Sequence, residues 1–465
     1  MNRTLAKYLL LAVERIRGER LDRYLPELER NQFLPAREIN RLQQEKLRAL
    51  LSFVVHRNDY FRQKYKGFDA LEEFSRLPVL SKQELRDNYQ HMVTQGCEKR
   101  VNLVKTSGST GEPLKFYRDR TVFGYTLASV YRAHRWHGLD VGAKEGMLWG
   151  IPTSWKNRMK MRGRDLVLNR FREIEYNLDP RVLQQFYDDV RRKRPEYLFG
   201  YSSMVYEFAL FVNEMNLGGT GLGLKGLVCT AEMIHDYQRA TMEKAFGCRV
   251  ISEYGAAETG IISYQCTRGR HHISDDCVLV EVVDQDGSPL PRGEVGHVAV
   301  TVLNSFSAPV IRYQLGDLAS LSNDTCDCGV NLSLIEKIIG RTSGVIVTPG
   351  GKCFHSIAVY YIMKDYADQF GGVRQFRVRQ TAINRLEFHV AADSEFSAES
   401  RQWLERRARA KFGDDMVIEF FVHERLDRTA AGKLRDFETA LDVEPYLLAS
   451  YRGPNGVTFD SAPTE

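Results

Sequence analysis

The sequence contains no long hydrophobic run. Nowhere in its 465 residues do about 18 apolar residues follow one another, so no membrane-spanning helix is predicted. Near the amino terminus, the short apolar patch YLLLAV is followed at once by Glu14 and two arginines, without a small-residue cleavage site. This pattern favours an amphipathic helix over a signal peptide.

A large excess of charge of one sign is also missing. Lys and Arg number 65 and Asp and Glu number 60, which gives a net charge of +5 spread along the chain. Such a small excess does not indicate a nucleic-acid partner. The eight cysteines are scattered through a chain of enzyme size, which favours a reducing compartment over a disulfide framework. We therefore predict a cytoplasmic protein.

A hydroxyl-rich stretch, TSGSTGEP (106–113), has four hydroxyls and two glycines but no apolar side chain. It lacks the Gly-Lys-Ser/Thr ending of a Walker loop and the G-x-G-x-x-G pattern of a dinucleotide fold, and strand-like segments flank it. The backbone N–H groups and hydroxyls of such a turn can bind one anion. Two interpretations fit: a phosphate loop of another architecture, or an ordinary surface hairpin.

Three regions of different predicted secondary structure follow one another along the chain. Residues 1–95 are mostly of helical character, strands and helices alternate from about 120 to 265, and β-rich runs occupy 277–321. We therefore predict an α/β fold with a large domain that contains a β-rich subdomain (1–340), a small α+β domain (341–440) and a disordered tail (441–465).

Two local patterns predict helices in the amino-terminal part. The apolar residues of segment 47–65 recur at helical spacing. In LSKQEL, Ser81 and Glu84 have the spacing of a capping box, which predicts that a helix begins there.

Four further motifs follow the hydroxyl-rich stretch in a fixed order. They are SEYGAAETG (252–260), RYQLGDLA (312–319), GRTSG (340–344) and RTAAGKLR (428–435). Together with TSGSTGEP and the upstream LPVLSKQELR, they resemble the adenylate-forming superfamily of acyl-CoA synthetases, peptide-synthetase adenylation domains and luciferases. Within it they are similar to the phenylacetate–CoA ligase family and its CapK-like branch, over about residues 40–440.

The resemblance implies a reaction in two steps. A carboxylic acid and ATP give an acyl-adenylate and pyrophosphate, and the acyl group then passes to CoA. The alternative acceptor is an amine, as in an amide ligase of surface-polysaccharide or natural-product biosynthesis. An interpretation from another class is a catalytically silent adenylate-fold protein that only binds ligands. The implied ligands are ATP or AMP, Mg²⁺, CoA and a small carboxylic acid, and a dimer is compatible with the sequence.

The resemblance also implies a nucleotide site. Glu258 is expected to help hold Mg²⁺, a cation that prefers oxygen ligands, although it could be a helix-capping carboxylate. Asp317 is expected to accept hydrogen bonds from the ribose hydroxyls, although it could be an ordinary turn residue. The whole predicted nucleotide-binding set is Thr106, Ser107, Gly108, Ser109, Thr110, Gly111, Ala231, Glu232, Glu253, Tyr254, Gly255, Ala256, Glu258, Asp317 and Arg341.

Lys433 is the predicted catalytic residue. It lies in a Gly-Lys turn of the small domain, and the resemblance implies that it reaches the site when the two domains close. Its ammonium would then stabilise the charge that develops between the attacking carboxylate and the α-phosphate. The alternative is a solvated surface lysine.

Four residues on either side of the β-rich region predict a metal site. Cys266 and His272 are six residues apart, and the pair Cys326 and Cys328 begins 54 residues after His272. Three thiolates and one imidazole match a closed tetrahedral Zn²⁺ site, which would be structural. His271 is an alternative to His272, and plain core cysteines are the alternative to a metal. Some members of the phenylacetate–CoA ligase family have a similar layout.

Overall fold

The computed structural model describes residues 1–105, 114–149, 155–173, 180–234, 236–341, 345–371, 373–392, 396–428, 434–441 and 443. In these ranges the α-helices are α1 (Arg3–Ile16), α2 (Leu21–Asn31), α3 (Ala36–Arg57), α4 (Asp59–Lys64), α5 (Lys82–Asn88), α6 (Arg120–Trp136), α7 (Trp155–Val167), α8 (Pro180–Lys193), α9 (Ser202–Glu214), α10 (Asp236–Phe246), α11 (Ile357–Phe370) and α12 (Ala398–Phe412). Short 3-10 helices span Phe74–Arg76, Glu98–Arg100 and Gly219–Leu222.

The strands in the same ranges are β1 (Val101–Lys105), β2 (Lys115–Asp119), β3 (Glu145–Leu148), β4 (Arg170–Glu173), β5 (Tyr197–Tyr201), β6 (Gly226–Thr230), β7 (Arg249–Ala256), β8 (Gly260–Gln265), β9 (His271–Ile273), β10 (Val278–Val283), β11 (Gly296–Val302), β12 (Tyr313–Leu321), β13 (Leu334–Arg341), β14 (Val345–Val347), β15 (Cys353–His355), β16 (Val373–Ala382), β17 (Arg385–Ala392), β18 (Val417–His423) and β19 (Phe437–Thr439).

One long mixed sheet organises the larger part of the chain. Its strand order in the described residues is β10-β11-β12-β13-β9-β8-β7-β6-β5-β3-β4. The strands β4, β3, β5, β6 and β7 pair in parallel, and β8 then turns back against β7. The predicted hairpin after residue 277 is the antiparallel pair β10–β11. The α/β prediction with a β-rich part is therefore confirmed.

The chain divides into two compact units, Met1–Ile338 and Ile339–Glu465. The second unit has its own sheet, with the order β18-β17-β16-β19, and its own core around α11 and α12. The predicted roles of the two domains stay predictions. No helix in the described ranges is both long and apolar enough to cross a membrane.

The amino-terminal helices follow the sequence with one correction. Ser81 and Glu84 form both bonds of the capping box at the start of α5, as predicted. The helical spacing over 47–65 is confirmed but contains one break, because α3 ends at Arg57 and α4 begins at Asp59. Asn58 separates them: its side-chain oxygen accepts a hydrogen bond from the Phe61 N–H, and its amide donates to the Met92 carbonyl at 3.0 Å.

Candidate active site

The carboxyl ends of two parallel strands bring predicted residues side by side. Thr230, at the end of β6, is paired with Glu253 in β7. The Thr230 hydroxyl donates a hydrogen bond to Glu253 Oε1 at 3.0 Å. Ala231 follows β6 with a left-handed φ of 67°, so the chain turns sharply at the sheet edge. The segments 231–232 and 253–256 therefore share one edge of the sheet, where α/β folds bind ligands.

Glu232 has a role that the sequence did not predict. Its Oε2 accepts a hydrogen bond from the backbone N–H of Ser203 at 2.9 Å, and its carbonyl accepts one from the Ser202 hydroxyl. Both serines lie in the first turn of α9, whose preceding residue Tyr201 provides no side-chain cap. Glu232 thus satisfies an otherwise orphan helix donor and places a negative charge at the positive end of the helix.

Glu253 is buried beneath the same edge. Only 9% of it is exposed, and burial raises the pKa of its carboxyl to about 7. The hydrogen bond from Thr230 acts in the opposite direction but is the smaller effect. Glu253, one of the predicted nucleotide-binding residues, is therefore buried at this edge and bonded to Thr230.

The strand β7 ends in a tight antiparallel turn. A register shift separates Tyr254 from Gly255, and Ala256 pairs with Gly260 at the start of β8. A Cβ atom on Gly255 would lie 2.4 Å from the Gly260 carbonyl oxygen, so only glycine fits there. The turn presents Glu258, which is half-buried.

Two tyrosine–carboxylate hydrogen bonds connect this turn to β12. The Tyr254 hydroxyl donates to Asp317 Oδ2 at 2.9 Å, and the Tyr313 hydroxyl donates to Glu258 Oε1 at 3.1 Å. Tyr254 belongs to the same motif as Glu258, and Tyr313 belongs to the same motif as Asp317. Each motif therefore supplies a tyrosine that donates a hydrogen bond to the carboxylate of the other motif. The structure brings Asp317 and Glu258 to one place although 58 residues separate them in the sequence. Tyr313 is the residue at this place that sequence reasoning missed.

Several predicted residues lie outside the described part of the chain. They are the hydroxyl-rich residues Thr106–Gly111 and the predicted catalytic Lys433. The antiparallel strands β1 and β2 that flank the hydroxyl-rich stretch are described. Arg341 is the last residue of β13, but its side chain is not described.

The four predicted metal ligands converge. The ligand atoms of Cys266, His272, Cys326 and Cys328 all lie within 4.8 Å of one another. The Cys266 and Cys326 sulfurs are 3.8 Å apart, and Cys328 Sγ lies 3.2 Å from His272 Nε2. Zn–S bonds of about 2.3 Å in a tetrahedron give a similar sulfur–sulfur separation of about 3.8 Å, so the donor set and its spacing fit Zn²⁺.

The structure distinguishes the two neighbouring histidines. Adjacent strand residues point to opposite faces, so only one of them can face the cysteines. His272 does so, with Nδ1 2.9 Å from the Leu332 carbonyl oxygen, a contact that orients the ring. His271 lies with Nδ1 3.2 Å from the Ser263 hydroxyl. His272 is therefore the histidine of the cluster.

Comparison with known proteins identifies relatives over most of the chain. No family model matches the sequence. The chain is 29% identical over 349 residues to a phenylacetate–coenzyme A ligase of Thermus thermophilus, which covers 70% of this chain and 75% of the relative. It is 23% identical over 413 residues to protein CapK of Staphylococcus aureus, which covers 85% and 88%.

A solved structure shares the fold. The crystal structure of 2-hydroxyisobutyryl-CoA ligase in the postadenylation state superimposes with a TM-score of 0.73 at 19% identity, covering 90% of this chain and 93% of that chain. The order of the motifs, the fold and the two sequence relatives agree. The chain is therefore similar over most of its length to phenylacetate–CoA ligases and to CapK, and it shares the fold of a CoA ligase solved in the postadenylation state.

Proposed function

We propose that the protein is an ATP-dependent, AMP-forming ligase that converts a carboxylic acid to an acyl-adenylate and transfers the acyl group to CoA. The observation that carries the proposal is the meeting of Glu258 and Asp317 through Tyr254 and Tyr313. These residues come from two motifs of the family, in a chain that matches phenylacetate–CoA ligases over about 70% of its length.

Positioning and electrostatics would dominate such a reaction. A carboxylate that attacks a triphosphate is repelled by its charge, so donors and cations must be gathered around the phosphates. In the proposal, the residues Thr106–Gly111 bind the β- and γ-phosphates and Lys433 stabilises charge at the α-phosphate. Asp317 would accept hydrogen bonds from the ribose.

Glu258 fits the role of a Mg²⁺ ligand. Its carboxylate is half-buried, and one of its oxygens accepts a hydrogen bond from the Tyr313 hydroxyl. Within the described part of the chain it forms no ion pair, so the second oxygen can face a cation. Mg²⁺, when bound there, would offset phosphate charge in the transition state.

Pyrophosphate release tests the first step. Purified protein is assayed with ATP, Mg²⁺ and a panel of aryl and aliphatic acids, and we expect acid-dependent release with at least one of them. Lys433→Ala should lower that rate by about 10²–10³-fold, as expected for loss of a group that stabilises transition-state charge. The matched control is Lys352→Ala, an exposed lysine of the same unit, which should retain the wild-type rate. No acid-dependent release from wild type across the panel would refute the proposal.

The acceptor is tested separately. With the active acid, CoA should give a thioester by mass spectrometry, and hydroxylamine at equal concentration should give less product. A preference for amines over CoA would instead favour the amide ligase. A cytoplasmic location stays a prediction.

We also propose that Cys266, His272, Cys326 and Cys328 bind one structural Zn²⁺. The short sulfur–sulfur and sulfur–nitrogen distances support a single ion held by all four. With every tetrahedral position filled by protein, the ion would have no open position for substrate. It would connect β8 and β9 to the segment that precedes β13.

A further inference from the structure

Tyr313 is a buried tyrosine with its hydroxyl at the predicted metal ligand. Its relative exposure is 1%, and its hydroxyl donates to Glu258 Oε1 at 3.1 Å. A solvent-accessible glutamate has several rotamers, and binding a cation through one of them costs conformational entropy. A donor fixed in the core that already holds one carboxylate oxygen reduces that cost.

The backbone on both sides of Tyr313 is fixed. Its strand pairs with β11 at Val300, and Leu80 pairs with it from the other direction. The Leu80 N–H donates to the Arg312 carbonyl at 2.9 Å, and the Gln314 N–H donates to the Leu80 carbonyl at 2.9 Å. The upstream LPVLS segment (77–81) therefore fixes the start of β12 by backbone hydrogen bonds.

Arg312 fixes the same strand through its side chain. It is 1% exposed and has a left-handed φ of 47°, which is unusual for a residue other than glycine. Its guanidinium donates to both oxygens of Glu281 at 3.0 and 3.1 Å and to the Gly287 carbonyl at 2.7 Å. It also donates to the Leu77 carbonyl. A strained backbone held by this many partners is typical of a positioned functional segment.

We propose that Tyr313 is a positioning residue that orients Glu258 for Mg²⁺ and so sets the affinity of the metal–nucleotide site. The inference depends on the proposed function, because it assigns Mg²⁺ to Glu258. Tyr313 itself touches neither the metal nor the substrate in this proposal. It keeps one carboxylate oxygen occupied and leaves the other for the cation.

Direct metal binding provides the first test. Mn²⁺ replaces Mg²⁺, and α,β-methylene-ATP replaces ATP because its α–β bridge cannot be cleaved. Electron paramagnetic resonance then measures free Mn²⁺ in a titration of the full chain. We expect Tyr313→Phe to bind Mn²⁺ about three- to tenfold more weakly, the loss expected for one hydrogen bond. Tyr65→Phe is the matched control, because Tyr65 is also buried and its hydroxyl has no hydrogen-bond partner within the described residues. It should bind Mn²⁺ like wild type.

A double-mutant cycle separates positioning from a general loss of structure. Glu258→Gln should weaken Mn²⁺ binding, and adding Tyr313→Phe to it should cause no further loss, because the two residues act as a unit. If the two losses are instead independent, Tyr313 acts on the fold and the proposal is wrong.

The activity assay separates the failure of this inference from that of the proposed function. In Tyr313→Phe, the Mg²⁺ concentration for half-maximal pyrophosphate release should rise by the same factor as the Mn²⁺ dissociation constant, while the rate at saturating Mg²⁺ stays within about twofold of wild type. This inference alone is overturned if the wild type is active and needs Glu258, but Tyr313→Phe has the same Mg²⁺ dependence as wild type. A wild type that neither binds the Mn²⁺–nucleotide complex nor releases pyrophosphate overturns both.

Discussion

At the scale of single residues, the site is built from carboxylates whose surroundings differ. Glu253 is buried beside Thr230, Glu232 caps a helix, and Glu258 and Asp317 each accept a tyrosine hydroxyl. Four acidic residues of the same predicted site thus have three kinds of environment. Their roles follow from burial and hydrogen bonding, because these determine which carboxylate oxygens are left to bind a ligand.

Glu253 should make stability depend on pH. Its pKa is raised by burial from 4.5 to about 7, so the folded state binds the proton more tightly than the unfolded state. Between these two values, rising pH therefore lowers stability, by up to roughly 3 kcal/mol, and above about pH 7 this loss is complete. Glu253→Gln removes the titratable carboxyl, while the amide oxygen of the glutamine can still accept the hydrogen bond from the Thr230 hydroxyl. The melting temperature of wild type should fall relative to that of Glu253→Gln from pH 5 to 8, whereas parallel curves would contradict the prediction.

Gly255 should tolerate no side chain. In Gly255→Ala the new methyl would lie 2.4 Å from a backbone oxygen, and relief requires the turn that presents Glu258 to move. We expect a loss of about 1–3 kcal/mol in the free energy of unfolding, together with weaker nucleotide binding. Gly221→Ala is the control, because a Cβ there meets nothing within 4 Å. Denaturant unfolding and nucleotide titration of both variants check the prediction, and equal behaviour of the two would refute it.

At the scale of elements, the site depends on where strands begin and end. Parallel pairing of β6 with β7 aligns their carboxyl ends, and the turn into β8 then places Glu258 near β12. The proposed metal site lies on the neighbouring strands, since Cys266 follows β8 and His272 lies in β9. One region of the sheet therefore carries both proposed sites.

Zinc removal should destabilise this region. Metal analysis of purified protein should find about one zinc per chain. Replacing Cys326 and Cys328 together by serine should abolish zinc binding. It should also lower the melting temperature by at least about 5 °C, because the free energy of metal binding no longer stabilises the folded state. Cys97→Ser, at a buried cysteine outside the cluster, should retain the metal. A zinc content that is zero in wild type, or unchanged in the double variant, would exclude the proposed ion.

At the scale of the whole molecule, buried ion pairs connect segments that are distant in sequence. Arg132 in α6 and Asp276 before β10 are 1% and 0% exposed and form bonds of 2.9 and 3.1 Å. Arg132 also donates to the Leu28 carbonyl in α2. Three parts of the first unit thus meet at one pair of charges.

Breaking this pair should cost more than an ordinary surface change. Arg132→Leu leaves a buried carboxylate without its cation, so we expect a loss of about 3–5 kcal/mol in unfolding free energy. Adding Asp276→Leu should recover part of the loss, because the unpaired charge is then removed. The control is Arg191→Leu, at an exposed position of α8, with a change near zero. Denaturant unfolding of the three variants measures these values. A cost no larger than that of the control would show that the pair contributes little.

Much of the fold could be predicted locally. The capping box at Ser81 and the hairpin β10–β11 follow from spacing of a few residues, which short-range backbone and side-chain preferences determine. The break at Asn58 could not be predicted in the same way. Its apolar neighbours keep helical spacing, and the contact that fixes it, to Met92, is made 34 residues later.

The sequence by itself determined the motifs, their order and the chemistry of their side chains, because these depend on residue type and short spacing. It also predicted the four metal ligands as a set, with His272 preferred and His271 as the alternative. Only the tertiary structure decided that Tyr254 holds Asp317, that Tyr313 holds Glu258 and that His272 rather than His271 faces the cysteines. Strand pairing and the pleat determine these contacts, since they decide which side chains distant in sequence point to the same place.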